Sequence, residues 1–195
     1  MNIPEIKNIC CIGAGYVGGP TMAVFAEYCI RVKIVVADIN ELRIKAWNDY
    51  QITNLPIYEP GLKDIIFKCR NENLFFTTNI EESIANADMV FLSVNTPTKL
   101  KGVGAGKASD LKWVEASARQ IAKYATGHTV VVEKSTLPVR TAKTIERILF
   151  SSQKQENNKT FSVLSNPEFL SEGNAINDLK FPERVLIGGE DPLAI

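Results

Sequence analysis

Short apolar runs alternate with amphipathic stretches along the whole chain. Residues 8–15 (NICCIGAG) read as a buried strand, and 16–29 (YVGGPTMAVFAEYC) follow with helical spacing. Residues 32–39 (VKIVVADI) form a continuous β-branched run, as strands buried on both faces do. Asn40 is a good N-cap for the helical stretch 41–48. A further helix starts behind Pro60 in 58–70, 73–79 (NLFFTTN) is a short strand, and Asn79 or Thr78 caps a helix over 80–87. Residues 88–97 (DMVFLSVNTP) are a strand ending in a proline turn, and 110–125 are amphipathic. Residues 128–136 (HTVVVEKST) make a fifth strand, followed by a helix over 139–150. The polar run 151–160 reads as a surface loop, 161–169 (FSVLSNPEF) as a sixth strand and loop, and 184–189 (RVLIGG) as one more short strand.

Strands alternating with helices of this length build βαβ units with right-handed crossovers. The expected fold is therefore α/β: a doubly wound parallel sheet, a Rossmann-like dinucleotide-binding domain. No internal repeat or low-complexity tract is visible. The chain stops at GGEDPLAI with no helix after the last strand, as at the edge of a domain.

At 195 residues and 45% hydrophobic, the chain buries a substantial core. Lys+Arg and Asp+Glu are equal at 22 each, so no global charge argues for nucleic acid or an anionic membrane. No apolar stretch approaches the ~18 residues that span a bilayer, and residues 1–8 lack a signal-peptide layout. Cys10, Cys11, Cys29 and Cys69 form no C-x-x-C pair and His128 is the single histidine, which argues against zinc. The expectation is a cytoplasmic protein with reduced thiols, most of them filling core space, and with Cys10 and Cys11 on opposite faces of one strand.

The glycines between the first strand and first helix change the picture from fold to chemistry. Gly13, Gly15 and Gly18 match G-x-G-x-x-G: a tight turn, room for a pyrophosphate, and close helix–strand packing. The helix N-terminus offers unpaired N–H groups to the phosphates. Asp38 ends the second strand 38 − 18 = 20 residues beyond Gly18, where a carboxylate accepts hydrogen bonds from the adenosine ribose hydroxyls. A carboxylate there repels the extra phosphate of NADP, so NAD is favoured as cofactor. Arg43 either pairs with such a phosphate or lies on the helix surface or along the adenine. Gly19 is not required by the motif.

Ligands of a doubly wound sheet sit beyond the carboxyl ends of its strands. The polar segments there are VNTPT (94–98), EKSTLPV (133–139) and SNPEFLSEG (165–173), each with a proline that fixes a turn. Thr96, Thr98 and Ser135 serve either turn chemistry or a ligand. Glu168 and Glu172 fall at the cofactor edge, as general acid or base or as solvated carboxylates. Lys99, Lys101 and Lys107 lie among glycines in a surface loop that could close over phosphate, and His128 reads as an ordinary loop histidine.

CCIGAGYVGGPT, LPIYEPGL, NLFFTTNI, VFLSVNTPTK, VVEKSTLPVRTA, LSNPEFLSEG and FPERVLIGG together resemble the UDP-glucose 6-dehydrogenase family of nucleotide-sugar dehydrogenases, in family order over nearly the whole chain. The resemblance implies a two-step, four-electron oxidation of the sugar C6 alcohol by NAD, through an aldehyde and a cysteine thioester to the glucuronate. It makes Gly13, Ala14, Gly15, Tyr16, Val17 and Gly18, with Asp38 and Arg43, the adenosine and pyrophosphate contacts. Val94, Asn95, Thr96, Pro97, Thr98, Ser135, Thr136 and Leu137 would line the rest of the NAD site. Glu168 falls on the family's acid–base glutamate, and Glu172 on one near the nicotinamide and substrate. Phe169, Leu170 and Ser171 complete the substrate segment, and Thr136 resembles the threonine that positions the hydrolytic water. Leu137, Ser171 and Asn174 depart from the valine, alanine and threonine that the family favours.

The family's nucleophile segment, G-x-G-G-x-C-F-x-K-D, and its helix-borne lysine and asparagine are absent from these 195 residues. The expectation is one N-terminal NAD-binding domain over 1–195, without the central helix and C-terminal UDP-sugar domain. Such a chain binds NAD but does not complete the oxidation alone. UDP-glucose is the implied substrate partner, no nucleic acid or membrane is, and the full-length protein would be a homo-oligomer. The alternatives are a dehydrogenase of UDP-N-acetylmannosamine or GDP-mannose, and a non-catalytic NAD-binding module.

Overall fold

The apolar runs pair side by side because strands buried on both faces find hydrogen-bond partners only in one another. The computed structural model describes residues 5–101, 105–107, 109–135, 141–153 and 159–195. In chain order it contains β1 (Asn8–Ile12), α1 (Gly18–Tyr28), β2 (Lys33–Ala37), α2 (Glu41–Trp47), α3 (Leu62–Cys69), β3 (Leu74–Thr77) and α4 (Ile80–Ala85). There follow β4 (Met89–Leu92), α5 (Lys112–Tyr124), β5 (His128–Glu133), α6 (Thr141–Gln153), β6 (Thr160–Ser165), α7 (Ala175–Lys180) and β7 (Gly188–Gly189). The strands make one seven-stranded sheet in the order β3-β2-β1-β4-β5-β6-β7. β1 pairs with β2 on one side and β4 on the other, so the chain reverses its winding between β1 and β4. That switch point opens a crevice beyond their carboxyl ends.

Two apolar layers sandwich the sheet. Cys11, Met22, Ile34, Trp47, Leu62 and Ile66 fill the α1–α3 side, while Cys10, Ile84, Ile121, Ile145 and Leu149 fill the α4–α6 side. Cys10 and Cys11 thus face opposite ways, as adjacent strand residues must. Local signals in the sequence set the helix starts. Asn40 accepts the Arg43 N–H at 3.0 Å, and Asn79, rather than Thr78, caps α4 through the Glu82 N–H.

Four expectations change in detail. RVLIGG shrinks to a two-residue strand, and β7 runs antiparallel to β6, unlike the rest of the sheet. α6 runs to Gln153, so the loop read over 151–160 is helical at its start and reaches β6 at Thr160, with 154–158 outside the described residues. His128 is the first residue of β5 and not a loop histidine, its Nδ1 2.8 Å from the Thr160 hydroxyl. α7 was not foreseen: it is as short as α4 but lacks the side-chain N-cap bond that marks the start of α4. Among the described residues no helix is long and apolar enough to cross a membrane.

Candidate functional site

The glycine-rich turn is built by close approach. Gly13 has φ +110°, and a Cβ there would stand 2.4 Å from the Ser93 carbonyl oxygen of the neighbouring strand end. A Cβ on Gly18 would stand 2.0 Å from the Gly13 carbonyl oxygen, so α1 can begin this near β1 only without one. Gly19 has its own reason: a Cβ would meet the Trp47 ring at 2.3 Å. That indole is fully buried, stacks on Phe76 at 4.7 Å, and donates from Nε1 to the Ala14 carbonyl at 2.9 Å. Gly15 differs from all three, since a Cβ there would meet nothing within 4 Å. The space above Gly15 is open, and Val17, which precedes α1, supplies no side-chain cap. Within α1, Gly19 and Thr21 already donate to the Gly15 and Val17 carbonyls and Pro20 has no N–H, so a phosphate in this cradle would meet the N–H groups of the turn that leads into the helix, up to Gly18.

Asp38 is 7% exposed. Its Oδ2 accepts the Ala14 N–H at 2.8 Å and the Arg43 guanidinium at 3.0 Å, while Oδ1 accepts the Asn40 N–H at 2.9 Å. The carboxylate thus fixes the glycine turn and carries Arg43 as its counter-charge. Gly13, Gly15, Asp38, Arg43, Val94 and Asn95 share one cavity of about 460 Å³. Its far wall is α5, which contributes Trp113, Ala116, Ser117 and Gln120. Sequence reasoning missed that wall, although positions 113, 116/117 and 120 recur at helical spacing beside the apolar stripe of Val114, Ala118 and Ile121.

The other expected cofactor residues divide. Ala14 spends both its main-chain polar groups inside the protein, on Asp38 and Trp47. Ser135 is buried and donates to the Val94 carbonyl at 3.0 Å, which is turn chemistry linking the ends of β4 and β5. Thr96, Pro97 and Thr98 lie outside the cavity wall; Thr98 bridges to Ser109, and Gly106 N–H donates to the Lys99 carbonyl, closing the loop over 98–109. Thr136 and Leu137, and residues 102–104 and 108 of that loop, lie outside the described residues.

A second cavity, of about 430 Å³, opens beyond β6. Glu168, Phe169, Leu170 and Ser171, which the resemblance assigns to substrate, line it together with Lys134 and Arg184, while Glu172 of the same segment does not. Arg184 stacks over the Phe169 ring at 4.1 Å. Lys134 was not singled out in advance. It is 8% exposed and donates from Nζ to Asn166 Oδ1 at 3.0 Å, and Asn166 in turn donates to the Leu186 carbonyl. Burial lowers the Lys134 pKa, and the carboxylate of Glu168 partly opposes this. Glu168 Oε2 accepts the Leu170 N–H at 2.7 Å. Glu172 is exposed, and its charge is felt by the Tyr16 hydroxyl.

No cysteine lines either cavity, although Cys11 donates from Sγ to the Gly13 carbonyl at 3.7 Å behind the cofactor cavity's wall. Cys10, Cys11 and Cys69 are buried, and burial pushes the Cys11 thiol up to about 12. Cys29 is exposed at the far end of α1, on the opposite edge of the sheet. None offers a thiolate at the carboxyl edge.

An open glycine cradle at a helix N-terminus, with a buried carboxylate at the next strand end, defines a dinucleotide-binding domain at the switch point of a doubly wound sheet. The family model for the NAD binding domain of the UDP-glucose/GDP-mannose dehydrogenase family matches residues 7–195, and the chain belongs to that family. It is 58% identical over 187 residues to the UDP-glucose 6-dehydrogenase of Bos taurus, covering 96% of this chain and 37% of that protein. It is also 58% identical over 187 residues to UDP-glucose 6-dehydrogenase 1 of Arabidopsis thaliana, covering 96% of this chain and 38% of that protein. Among solved structures, a UDP-glucose dehydrogenase from Pyrobaculum islandicum superposes with a TM-score of 0.82 at 31% identity, covering 97% of this chain and 42% of that one. The chain thus spans well under half the length of these relatives.

Proposed function

We propose that this chain is the NAD-binding part of a UDP-glucose 6-dehydrogenase, and that the whole protein oxidises the C6 alcohol of UDP-glucose to the carboxylate. One observation carries the cofactor half of this reading: Gly15 leaves open space at the head of α1 while Asp38 stands buried beside it. The identity of about 58% with proteins named UDP-glucose 6-dehydrogenase supports the substrate half.

Bound NAD would supply the hydride acceptor. The residues of this chain do the rest of what is legible here. The N–H groups of the glycine turn that leads into α1 meet the pyrophosphate, Asp38 accepts from the ribose hydroxyls, and α5 closes the adenine side with Trp113. Glu168 takes or returns the proton of the reacting oxygen in the second cavity, with the Lys134 ammonium on the same wall. No cysteine here is placed to carry the thioester, so that step falls to residues outside these 195.

Calorimetric titration of the chain with NAD and with NADP tests the reading. We expect NAD to bind and NADP to bind at least about tenfold more weakly, since its added phosphate meets the Asp38 carboxylate. Mixed with NAD and UDP-glucose, the chain is expected to form no reduced cofactor. Equal affinities for NAD and NADP, or steady NADH formation, would overturn it.

A further inference from the structure

The glycine that leaves room in the cradle also loosens it. Without a Cβ, Gly15 does little to fix the plane of the peptide group that joins it to Ala14. That plane matters to an anion, because the C=O and the N–H of a trans peptide point in opposite directions. No described peptide bond here is cis. One side of the group attracts a phosphate, and the other side repels it.

Trp47 decides which side lies outward. Its Nε1 donates to the Ala14 carbonyl at 2.9 Å, inside the core. The Gly15 N–H, at the other end of the same plane, therefore points away from the indole, and Gly15 lines the cofactor cavity. Among the described residues that N–H has no acceptor. The indole is itself held on several sides. It is fully buried, stacks on Phe76 with 3° between the ring planes, and packs against Gly19. The Arg70 guanidinium donates to the Trp47 main-chain carbonyl at 2.7 Å. Asp38 fixes the preceding peptide group through the Ala14 N–H at 2.8 Å.

We propose, resting on the dinucleotide reading above, that Trp47 is a positioning residue for the pyrophosphate: by holding the Ala14 carbonyl inward it keeps the Gly15 N–H turned to the cofactor cavity. Without that donor the Ala14 carbonyl is a buried acceptor with no partner, and rotation of one peptide group brings it out toward the cavity. Its partial negative charge then faces the phosphates where the N–H stood. A purely structural Trp47 supports every ligand of the cavity alike. A positioning Trp47 serves the ligands that carry a pyrophosphate.

Calorimetric titration of the native chain and of Trp47→Phe, with ADP-ribose and with adenosine, separates the two roles. The substitution keeps an aromatic ring against Phe76 and removes the donor. ADP-ribose affinity should fall about tenfold, as the share of chains with the N–H turned outward falls, while adenosine affinity stays within about twofold. Unchanged ADP-ribose affinity, or an equal loss for both ligands, overturns the proposal. A native chain that binds ADP-ribose no more tightly than adenosine overturns the dinucleotide reading and the proposal with it. Should Trp47→Phe fail to fold, the native chain carries the test through the indole N–H signals of Trp47 and Trp113. A phosphate on the Gly15 N–H polarises the shared peptide group and strengthens its carbonyl as an acceptor. The Trp47 Nε1–H resonance should therefore move downfield with ADP-ribose and stay in place with adenosine. A signal that ADP-ribose leaves unmoved, or that adenosine moves as far, overturns the proposal.

Discussion

The two cavities at the carboxyl edge of the sheet are held open by different means. The cofactor cavity is shaped by what is missing: three glycines let the main chain pass under 3 Å from where side-chain atoms would be, against Ser93, Gly13 and Trp47. The second cavity is lined by polar side chains that hold its walls together, Lys134 to Asn166 and Asp178 to the Ser171 N–H, and the loop that continues from it is pinned from across the fold by Glu59 at Gly173 and Ala175. Close main-chain packing leaves a rigid cradle whose outline does not depend on charge. A frame of buried carboxylates and an ammonium is tied to protonation and to the loops it joins. The substitutions that follow probe that contrast.

The largest effect is expected in the cradle. Gly19→Ala drives a Cβ into the Trp47 ring, so the indole must give up its stacking on Phe76 and its bond to the Ala14 carbonyl. We expect a loss of about 3 kcal/mol, or roughly 10 °C in melting temperature, at every pH. Scanning calorimetry at pH 5 and pH 8 reads both the size and the lack of pH dependence.

Glu133 sharpens the other side of the comparison. It is 4% exposed at the end of β5, and burial pushes its carboxyl up to about 7, against a weaker opposing bond from the Ser165 hydroxyl. The folded state thus holds this proton more tightly than the unfolded state, whose value is near 4.5. Its contribution is fully present below pH 4.5 and is lost as pH rises through 7. Glu133→Gln removes that loss. The variant should gain about 2 kcal/mol relative to the native chain on going from pH 4 to pH 8. Denaturant unfolding at the two pH values measures this, and a difference that ignores pH would contradict the account.

Ser135→Ala should matter least. It deletes one bond to the Val94 carbonyl, worth about 1 kcal/mol, and leaves NAD affinity within about threefold. A much larger loss of affinity would return Ser135 from turn chemistry to direct cofactor contact.

These contrasts also mark what could be read in advance. The strand–helix alternation, the glycine turn and Asp38 are local signals, since period and spacing carry them. Gly19 had no local reason; its partner is the ring of Trp47, 28 residues away in sequence (47 − 19). Glu59 was visible only as a family motif, because its two amide partners lie more than a hundred residues along the chain. α7 and β7 were missed or misdirected for the opposite reason: α7 is six residues without the capping bond that announces the equally short α4, and the two residues of β7 carry no period that could set its direction. Lys134 hid within a strand-end motif, where its burial beside Asn166 and Glu168 is a property of the fold.

Gly15 tests the central claim most directly, because it is the cradle glycine whose absent side chain touches no protein atom. Gly15→Ala costs the fold little and puts a methyl group where the pyrophosphate would lie. The melting temperature should stay within about 3 °C of native while calorimetric NAD affinity falls about a hundredfold or more. Native NAD affinity in a well-folded Gly15→Ala chain would contradict the assignment of this cradle.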